Sequence, residues 1–273
     1  MQISVIIPVF NAAQYVTEAV QSALQQPETA EVILIEDGST DDSLQVIEEL
    51  KAQYAKVKVI QWADGQNHGP AATRNLGIDH AKYEFIAFLD ADDFYLPNRF
   101  LKTRQLLQTQ PKLQVAYAPV GFFYANEKAK QLHQQYNSGI KVADFQVVNK
   151  ELFFEKYVLG EQGYIHFNGI TLRKKVFQNV EKFDLRLRHA EDTDLILRFA
   201  LVDLIHSTTD AQPVASTRIH PLRSVYNLPK MYQGRSLFFQ KWLYLSTQNH
   251  WSKAVRQFLL RRTLEMEFLA KYG

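Results

Sequence analysis

Three short stretches of this chain place chemically active residue types at close spacing. The first is Asp90-Ala91-Asp92-Asp93, directly after the apolar run Phe85-Ile86-Ala87-Phe88-Leu89. In an extended chain residues i and i+2 share a face, so Asp90 and Asp92 are expected to converge on one site while Asp93 turns aside. Two carboxylates that close repel unless something positive lies between them. A hard divalent cation, Mn2+ or Mg2+, held by one or two carboxylates and completed by substrate phosphate oxygens, meets that need. A polar loop whose aspartates cap the next helix or face water is the plain alternative. The second stretch is Glu36-Asp37-Gly38-Ser39-Thr40-Asp41-Asp42. Gly38 permits a tight turn, and Ser39 or Thr40 can cap a helix beginning near Asp41, with Asp41 and Asp42 favourable in its first turn. Capping leaves Glu36 and Asp37 unexplained, and an Asp at a strand end can accept hydrogen bonds from a nucleobase N–H or a ribose hydroxyl. The third is Asn67-His68-Gly69-Pro70-Ala71-Ala72-Thr73-Arg74-Asn75. Pro70 suits the first helical position, helix N-termini bind anions, and Arg74 adds a positive fork one turn in, so a diphosphate would fit. An ordinary capped helix with a surface arginine would carry the same residues.

The elements that must position these groups follow from hydrophobic periodicity. Ile3 to Val9 is a short, mostly apolar run, and Val16, Ala19, Val20, Ala23 and Leu24 mark one face of a helix. The pattern repeats as Val32 to Ile35 with Leu44, Ile47 and Leu50, then Val57 to Ile60, a helix opened by Pro70 and closing near His80, and Phe85 to Leu89. Near-continuous apolar strands alternating with helices predict an α/β fold with a mostly parallel central sheet covered on both faces. Ligands of such sheets bind at the carboxyl ends of the strands, where all three stretches lie. Leu113 to Phe123 reads as one further strand after a helix beginning near Pro97, and the polar span from Glu127 to Lys150 reads as a mobile loop or insert. Order returns at Glu151 to Val158 and Gly169 to Val176. A helix from about Asp192 to Leu204 carries Leu195, Ile196, Phe199 and Leu204 on one face, and the last forty or so residues read as helical.

Several function classes are excluded or disfavoured. The 273 residues allow one large domain or two small ones, and 46% hydrophobic with 22% charged residues is ordinary for a globular chain. Thirty-one Lys plus Arg against twenty-nine Asp plus Glu leave a net charge of +2, too balanced for a nucleic-acid surface. Without cysteine there is no disulfide, thiolate metal site or cysteine nucleophile, which fits a reducing compartment. The expected location is cytoplasmic, at the inner face of the membrane if the C-terminal helices attach there. The N-terminal apolar run lacks a positive n-region and contains Pro8, so it is not read as a signal peptide, and no run approaches the length that spans a bilayer. No G-x-G-x-x-G, G-x-x-x-x-G-K-[ST] or G-x-S-x-G is present, which counts against a dinucleotide dehydrogenase, a P-loop enzyme and an α/β hydrolase.

Taken together, Ser4-Val5-Ile6-Ile7-Pro8-Val9-Phe10-Asn11, Glu36-Asp37-Gly38-Ser39-Thr40-Asp41, Asn67-x-Gly69, Arg74-Asn75 and Phe88-Leu89-Asp90-Ala91-Asp92-Asp93 resemble the family 2 glycosyltransferases of the GT-A fold. Asn168-Gly169 through Phe183-Asp184 to Glu191-Asp192-Thr193-Asp194 is similar to the acceptor half of that family. The resemblance implies a metal-dependent, inverting transfer of a sugar from a nucleotide donor, a UDP-sugar first, to a glycan or lipid-linked acceptor. It implies a glycosyltransferase domain over residues 1–227, with a nucleotide-binding half over 1–110 and an acceptor half over 111–227, followed by a helical appendage over 228–273. It implies a donor site of Pro8, Phe10, Asn11, Asp37, Asn67, Arg74, Asp90 and Ala91. Asp37 would contact the base, Asn67 and Arg74 would lie near the base or diphosphate, Asp90 would reach the ribose, and Asp92 would coordinate Mn2+ or Mg2+. Arg218-Ile219-His220, followed by Ser224 and Asn227, is similar to a late family segment whose histidine approaches the metal or diphosphate. The aspartate matching Asp192 serves as base in the family, and inverting transfer needs a carboxylate to take the acceptor proton. Glu191 is the second choice, and both acids would also stabilise a helix N-terminus by its dipole.

His68 and His189 have weaker claims, His189 as a residue shaping the acceptor site. Glu36 and Thr73 depart from the family's more usual aspartate and alanine, which would reshape the base pocket. The segment carrying Phe238, Phe239, Trp242, Leu243, Tyr244, Trp251, Phe258 and Leu259 among Arg235, Lys241, Lys253, Arg256, Arg261 and Arg262 is aromatic and basic together. It would pack on its own chain, join a second copy in a homodimer, or lie on an anionic membrane surface. Two other functions compete. A sugar-phosphate nucleotidyltransferase would carry a Gly-rich basic loop where this chain has Asn11-Ala12-Ala13-Gln14, and a non-catalytic binding subunit would have no need of both acidic clusters.

Overall fold

The computed structural model describes residues 1–137, 150–161, 163–202, 204–208, 212–220 and 228–272. Its frame comes from the βα repeats of the first hundred residues: β1 (Ile3–Val9), α1 (Val16–Leu24), β2 (Thr29–Glu36), α2 (Ser43–Gln53), β3 (Val57–Gln61), α3 (Pro70–His80) and β4 (Phe85–Phe88). Then come β5 (Phe94–Tyr95), α4 (Leu101–Thr109), β6 (Val115–Tyr117), β7 (Val120–Tyr124), α5 (Glu127–Asn137) and α6 (Lys150–Val158). A 3-10 turn at Phe167–Gly169 leads into β8 (Ile170–Arg173), followed by α7 (Glu191–Leu201), β9 (Ile205–Ser207), β10 (Ala215–Ile219), α8 (Leu228–Gln248) and α9 (Lys253–Tyr272).

Among the described residues these strands form a seven-stranded sheet in the order β3-β2-β1-β4-β8-β6-β9 and a three-stranded sheet in the order β5-β10-β7. In the large sheet only β8 pairs antiparallel to its neighbours, β4 and β6. Successive residues of β1 serve two cores. Ile6 packs with Ile33, Ile78 and Phe88 on one face, and Val5 and Ile7 pack with Val16, Leu34 and Ile47 on the other. That two-sided burial is why the strands lack polar alternation. Gly77 lets α3 lie close on the sheet, because a Cβ there would be 2.4 Å from Ile6 Cγ2.

The chain runs from β1 outward to β2 and β3, then returns to place β4 on the other side of β1. Such a reversal opens a crevice beyond the carboxyl ends of the strands. The register Val9↔Glu36 and Ile6↔Phe88 brings the segments after β1, β2 and β4 out at one edge.

Several elements differ from the sequence expectations. The span from Leu113 to Phe123 is two strands in different sheets, since β6 belongs to the large sheet and β7 to the small one. Between them Pro119 cannot donate to a ladder. The helix expected near Pro97 begins at Leu101, after Asn98 at φ 62° turns the chain and buries Arg99. Residues 127–137 of the expected loop form α5, whose start Asn126 caps by accepting from Ala129 N at 2.9 Å, while 138–149 lie outside the described residues. Gln, Lys and Ala favour a helix once that cap exists. The helix expected to reach Leu204 stops at Leu201, and Leu204 N turns back to Phe199 O.

The aromatic and basic C-terminal segment folds as the hairpin of α8 and α9 and packs on its own chain. Trp242 is fully buried, and its Nε1 donates to Asp194 Oδ1 at 3.0 Å. Among the described residues no helix is long and apolar enough to cross a membrane.

Candidate active site

The rim of the site is built from the loops after β1, β2 and β3, tied by side chain to backbone bonds. Asn11, at φ 50°, donates its N–H to Ser39 Oγ at 3.0 Å and accepts from Thr40 N through Oδ1 at 2.8 Å. Ala12 N donates to Ser43 Oγ and Ala13 N to Asp41 Oδ2. Neither Ser39 nor Thr40 caps α2. Asp42 is the residue before the helix and makes no side-chain cap bond, while Asp41 accepts from Ser43 N at 3.0 Å in the turn leading in, so the helix starts two residues later than the sequence suggested.

Glu36 and Asp37 face into the rim. Glu36 accepts from Gly38 N and Ser39 N. Asp37 is buried and accepts from Asn67 Nδ2 at 2.9 Å, His68 N at 2.8 Å and Gly69 N at 3.0 Å. It therefore fixes the loop carrying Asn67. Gly38, at φ +74°, is required there, because a Cβ would lie 2.7 Å from Asn67 N. Thr73 bonds Gly69 O at 2.8 Å and stitches the first turn of α3. His68 stacks on Trp62 at 4.1 Å and pairs with Asp64. At the end of β1, Pro8 is half-buried and Phe10 is 49% exposed, an aromatic face left at the rim.

Arg74 is not the open fork that the sequence suggested. It is buried, and its guanidinium spans two carboxylates, Asp90 Oδ1 at 2.9 Å and Glu191 Oε1 at 2.7 Å, against the rings of Phe167 and Phe183. Two half-desolvated acids require such a cation. The bridge joins the loop after β4 to the first turn of α7, so the two acidic clusters 100 residues apart in sequence share one site.

The acidic loop is a tight turn in which Asp93 N donates to Asp90 O, so the alternation of an extended chain does not apply. Asp93 turns inward rather than aside. It accepts from Asn168 Nδ2 at 2.6 Å and from Arg218 N at 2.8 Å, while Asp90 N donates to Asn168 Oδ1 at 3.0 Å. Ala91 is buried within the turn. Asp92 meets His220, with Nε2 3.0 Å from Oδ2, and His220 stacks on Tyr15 at 4.9 Å. The buried Nδ1 of His220 has no hydrogen-bond partner among the described residues. Ser224 and Asn227 lie outside the described residues.

Two donor sets here suit a hard divalent cation. Asp92 and His220 form one. Asp90, Asp93 and His166 offer ligand atoms within 4.8 Å of one another and form the other. Carboxylate oxygens with an imidazole nitrogen fit Mn2+ or Mg2+. His166 and the clamp made by Asn168 escaped the sequence reading. Asn168 entered there only as part of Asn168-Gly169 in the family resemblance, with no role, and His166 two residues before it not at all. Arg99 holds this segment by donating to Asn168 O and Ile170 O.

Across the Arg74 bridge, α7 opens with Glu191 and Asp192 after Ala190 at φ 61°. Burial, reinforced by Asp192, pushes the Glu191 carboxyl up to about 7 against the lowering pull of Arg74. Asp192 is less buried, and its Oδ2 accepts from Tyr164 OH at 2.9 Å. His189 packs beneath Gly234 of α8.

A family profile described as Glycosyl transferase family 2 matches residues 4–179. An uncharacterized glycosyltransferase of Rickettsia conorii is 39% identical over 140 residues, 51% of this chain and 22% of that protein. The minor teichoic acid biosynthesis protein GgaA of Bacillus subtilis is 28% identical over 198 residues, 69% of this chain and 41% of its own length. This chain thus spans well under two thirds of either relative. Among solved structures, S. aureus TarS 1–349 in complex with UDP-GlcNAc superposes with TM-score 0.67 at 21% identity, covering 98% of this chain and 73% of that one. The mannosyltransferase PcManGT from Pyrobaculum calidifontis, in complex with GDP-Man and Mn2+, does so with TM-score 0.63 at 13% identity, covering 99% and 72%. At these identities the likeness concerns the fold, the GT-A type of α/β architecture.

Proposed function

This chain belongs to glycosyl transferase family 2, and on that premise we propose that it transfers a glycosyl group from a nucleotide-sugar to a hydroxyl of a glycan or lipid-linked acceptor, with inversion. The observation that carries the reading is the Arg74 bridge, which fixes the acidic loop after β4 and the first turn of α7 side by side. Structural neighbours solved with UDP-GlcNAc and with UDP favour a UDP-sugar as the first donor to test.

The rim formed by Phe10, Asn11, Asp37 and Asn67 would receive the base and ribose. Asp92 and His220 would hold Mn2+ or Mg2+, with Asp90, Asp93 and His166 beside them. Such a cation, when bound, neutralises charge on the leaving nucleoside diphosphate. Asp192 takes the proton of the acceptor hydroxyl while that oxygen bonds to the anomeric carbon. The anomeric bond to the diphosphate breaks on the opposite face, and its electron pair leaves with the phosphate oxygen. Tyr164, donating to Asp192 Oδ2, orients the carboxylate for this step.

Asp192→Asn should lower transfer by about 100- to 10,000-fold, the usual contribution of a positioned general base. UDP in the presence of Mn2+ should still raise its melting temperature as in the native chain. Unchanged turnover in that variant would sink the assignment.

A further inference from the structure

The C-terminal hairpin brings a cation to the acceptor side of the site. Gly234 lets α8 lie directly on the segment before α7, since a Cβ there would be 2.8 Å from His189 Cβ and Cδ2. About two turns onward, Lys241 pairs with Asp184 at 2.9 Å and Asp194 at 2.6 Å, and Trp242 donates to Asp194. These contacts fix α8 against the start of α7. Arg235, beside Gly234, is held half-buried there.

Its charge is felt by Asp192, Tyr164 and Tyr232, and it is opposed by Arg262. Lys230 and Arg235 act together on His189, whose imidazole is disfavoured as a cation by burial and by both of them. Among the described residues Arg235 has no hydrogen bond or ion pair. The other arginines of comparable burial are committed. Arg74 bridges two acids, Arg173 holds Glu84, Arg198 holds Asp194, Arg218 holds Glu18, and Arg99 is spent on carbonyls. A guanidinium drawn out of water without an acceptor is costly, and its fork geometry matches a phosphate or carboxylate. On the proposed reading the donor diphosphate would be met elsewhere, by the cation that Asp92 and His220 would hold.

We propose that Arg235 binds an anionic group, phosphate or carboxylate, carried by the acceptor close to the hydroxyl that receives the sugar. The inference rests on the reading of Asp192 as the acceptor-side base. It predicts an acceptor of acidic character.

The test uses the full chain with its donor side filled by UDP and Mn2+, so that anionic probes cannot settle there. Binding of glycerol 1-phosphate and of glucuronate is compared by calorimetry with that of glycerol and of glucose, in the native protein, Arg235→Gln and Arg235→Lys. One anionic probe should bind the native chain about tenfold or more tighter than its neutral counterpart, as expected for a hydrogen bond between charged partners. Which probe shows the preference decides between phosphate and carboxylate. Arg235→Gln should abolish the preference, and Arg235→Lys should keep part of it, with UDP affinity within about twofold in all three proteins. A native chain that treats charged and neutral probes alike would overturn the proposal, as would a preference that survives in Arg235→Gln. If Arg235→Gln fails to fold, the native and Arg235→Lys measurements decide alone, and a preference equal in those two would count against a role for the guanidinium fork. Loss of UDP binding with the anion preference intact would instead strike at the glycosyl-transfer reading and leave the anion site standing.

Discussion

Arg74 stands between Asp90 and Glu191, and both acids depend on it for their burial. Arg74→Ala strands two carboxylates at once and should cost about 3–5 kcal/mol, the usual penalty for breaking a buried pair from one side. Arg74→Lys keeps the charge but cannot reach two carboxylates as a fork, so it should recover only part of the loss. Thermal unfolding of the two variants checks both statements, and equal midpoints would contradict them. Glu191 is expected to make the stability of the fold depend on pH. Its carboxyl is raised from the ordinary 4.5 to about 7, so the protonated form is favoured by the fold. An acid raised in this way contributes stability that is complete below pH 4.5 and is lost as pH rises through 7. The loss should be about 3 kcal/mol across that window, at roughly 1.4 kcal/mol per pH unit. Glu191→Gln should remove that slope from a series of denaturation midpoints, and an unchanged slope would show that Glu191 is not its source.

At the scale of elements, the short 3-10 turn at Phe167–Gly169 does the work of a bracket. Asn168 holds Asp93 by its amide and the Asp90 N–H by its carbonyl, so it sets the aim of the acidic loop without being an obvious ligand. Asn168→Ala should weaken Mn2+ binding by about 10- to 100-fold, the usual effect of removing a residue that orients metal ligands. Titration of the variant with Mn2+ in the presence of UDP, followed by thermal shift, would show it. A native-like affinity would mean that Asp93 orients itself. This bracket also marks where the sequence was readable. The βα repeats were legible because each buries an apolar run, and Asp90 and Asp92 stood out as acids at the end of such a run, while Glu191 and Asp192 came with the family resemblance at the start of a helix. The inward turn of Asp93 was not legible, because it depends on partners 75 and 125 residues away. Nor was the break between β6 and β7, where a single proline moves the chain from one sheet to another.

On the scale of the whole molecule, α8 and α9 pack on their own chain, with α8 tied to the first turn of α7, and are not an isolated tail. Their aromatic and basic composition was legible, but its use was not. Helical periodicity shows which residues share a face and is silent on what that face meets. The ties between Asn11 and Thr40, Ala13 and Asp41, and Asp37 and Gly69 have a consequence for motion. Three loops from three separate βα units are linked by backbone N–H groups that donate to side-chain oxygens, with the loop after β2 in the middle, so opening that loop releases both of its neighbours. They should behave as one cooperative unit in amide hydrogen exchange, with Thr40, His68 and Gly69 exchanging at similar rates. Asp37→Ala should speed the exchange of all three together. In physical terms the nucleotide would meet a rim that is already assembled and gives up little entropy when it binds.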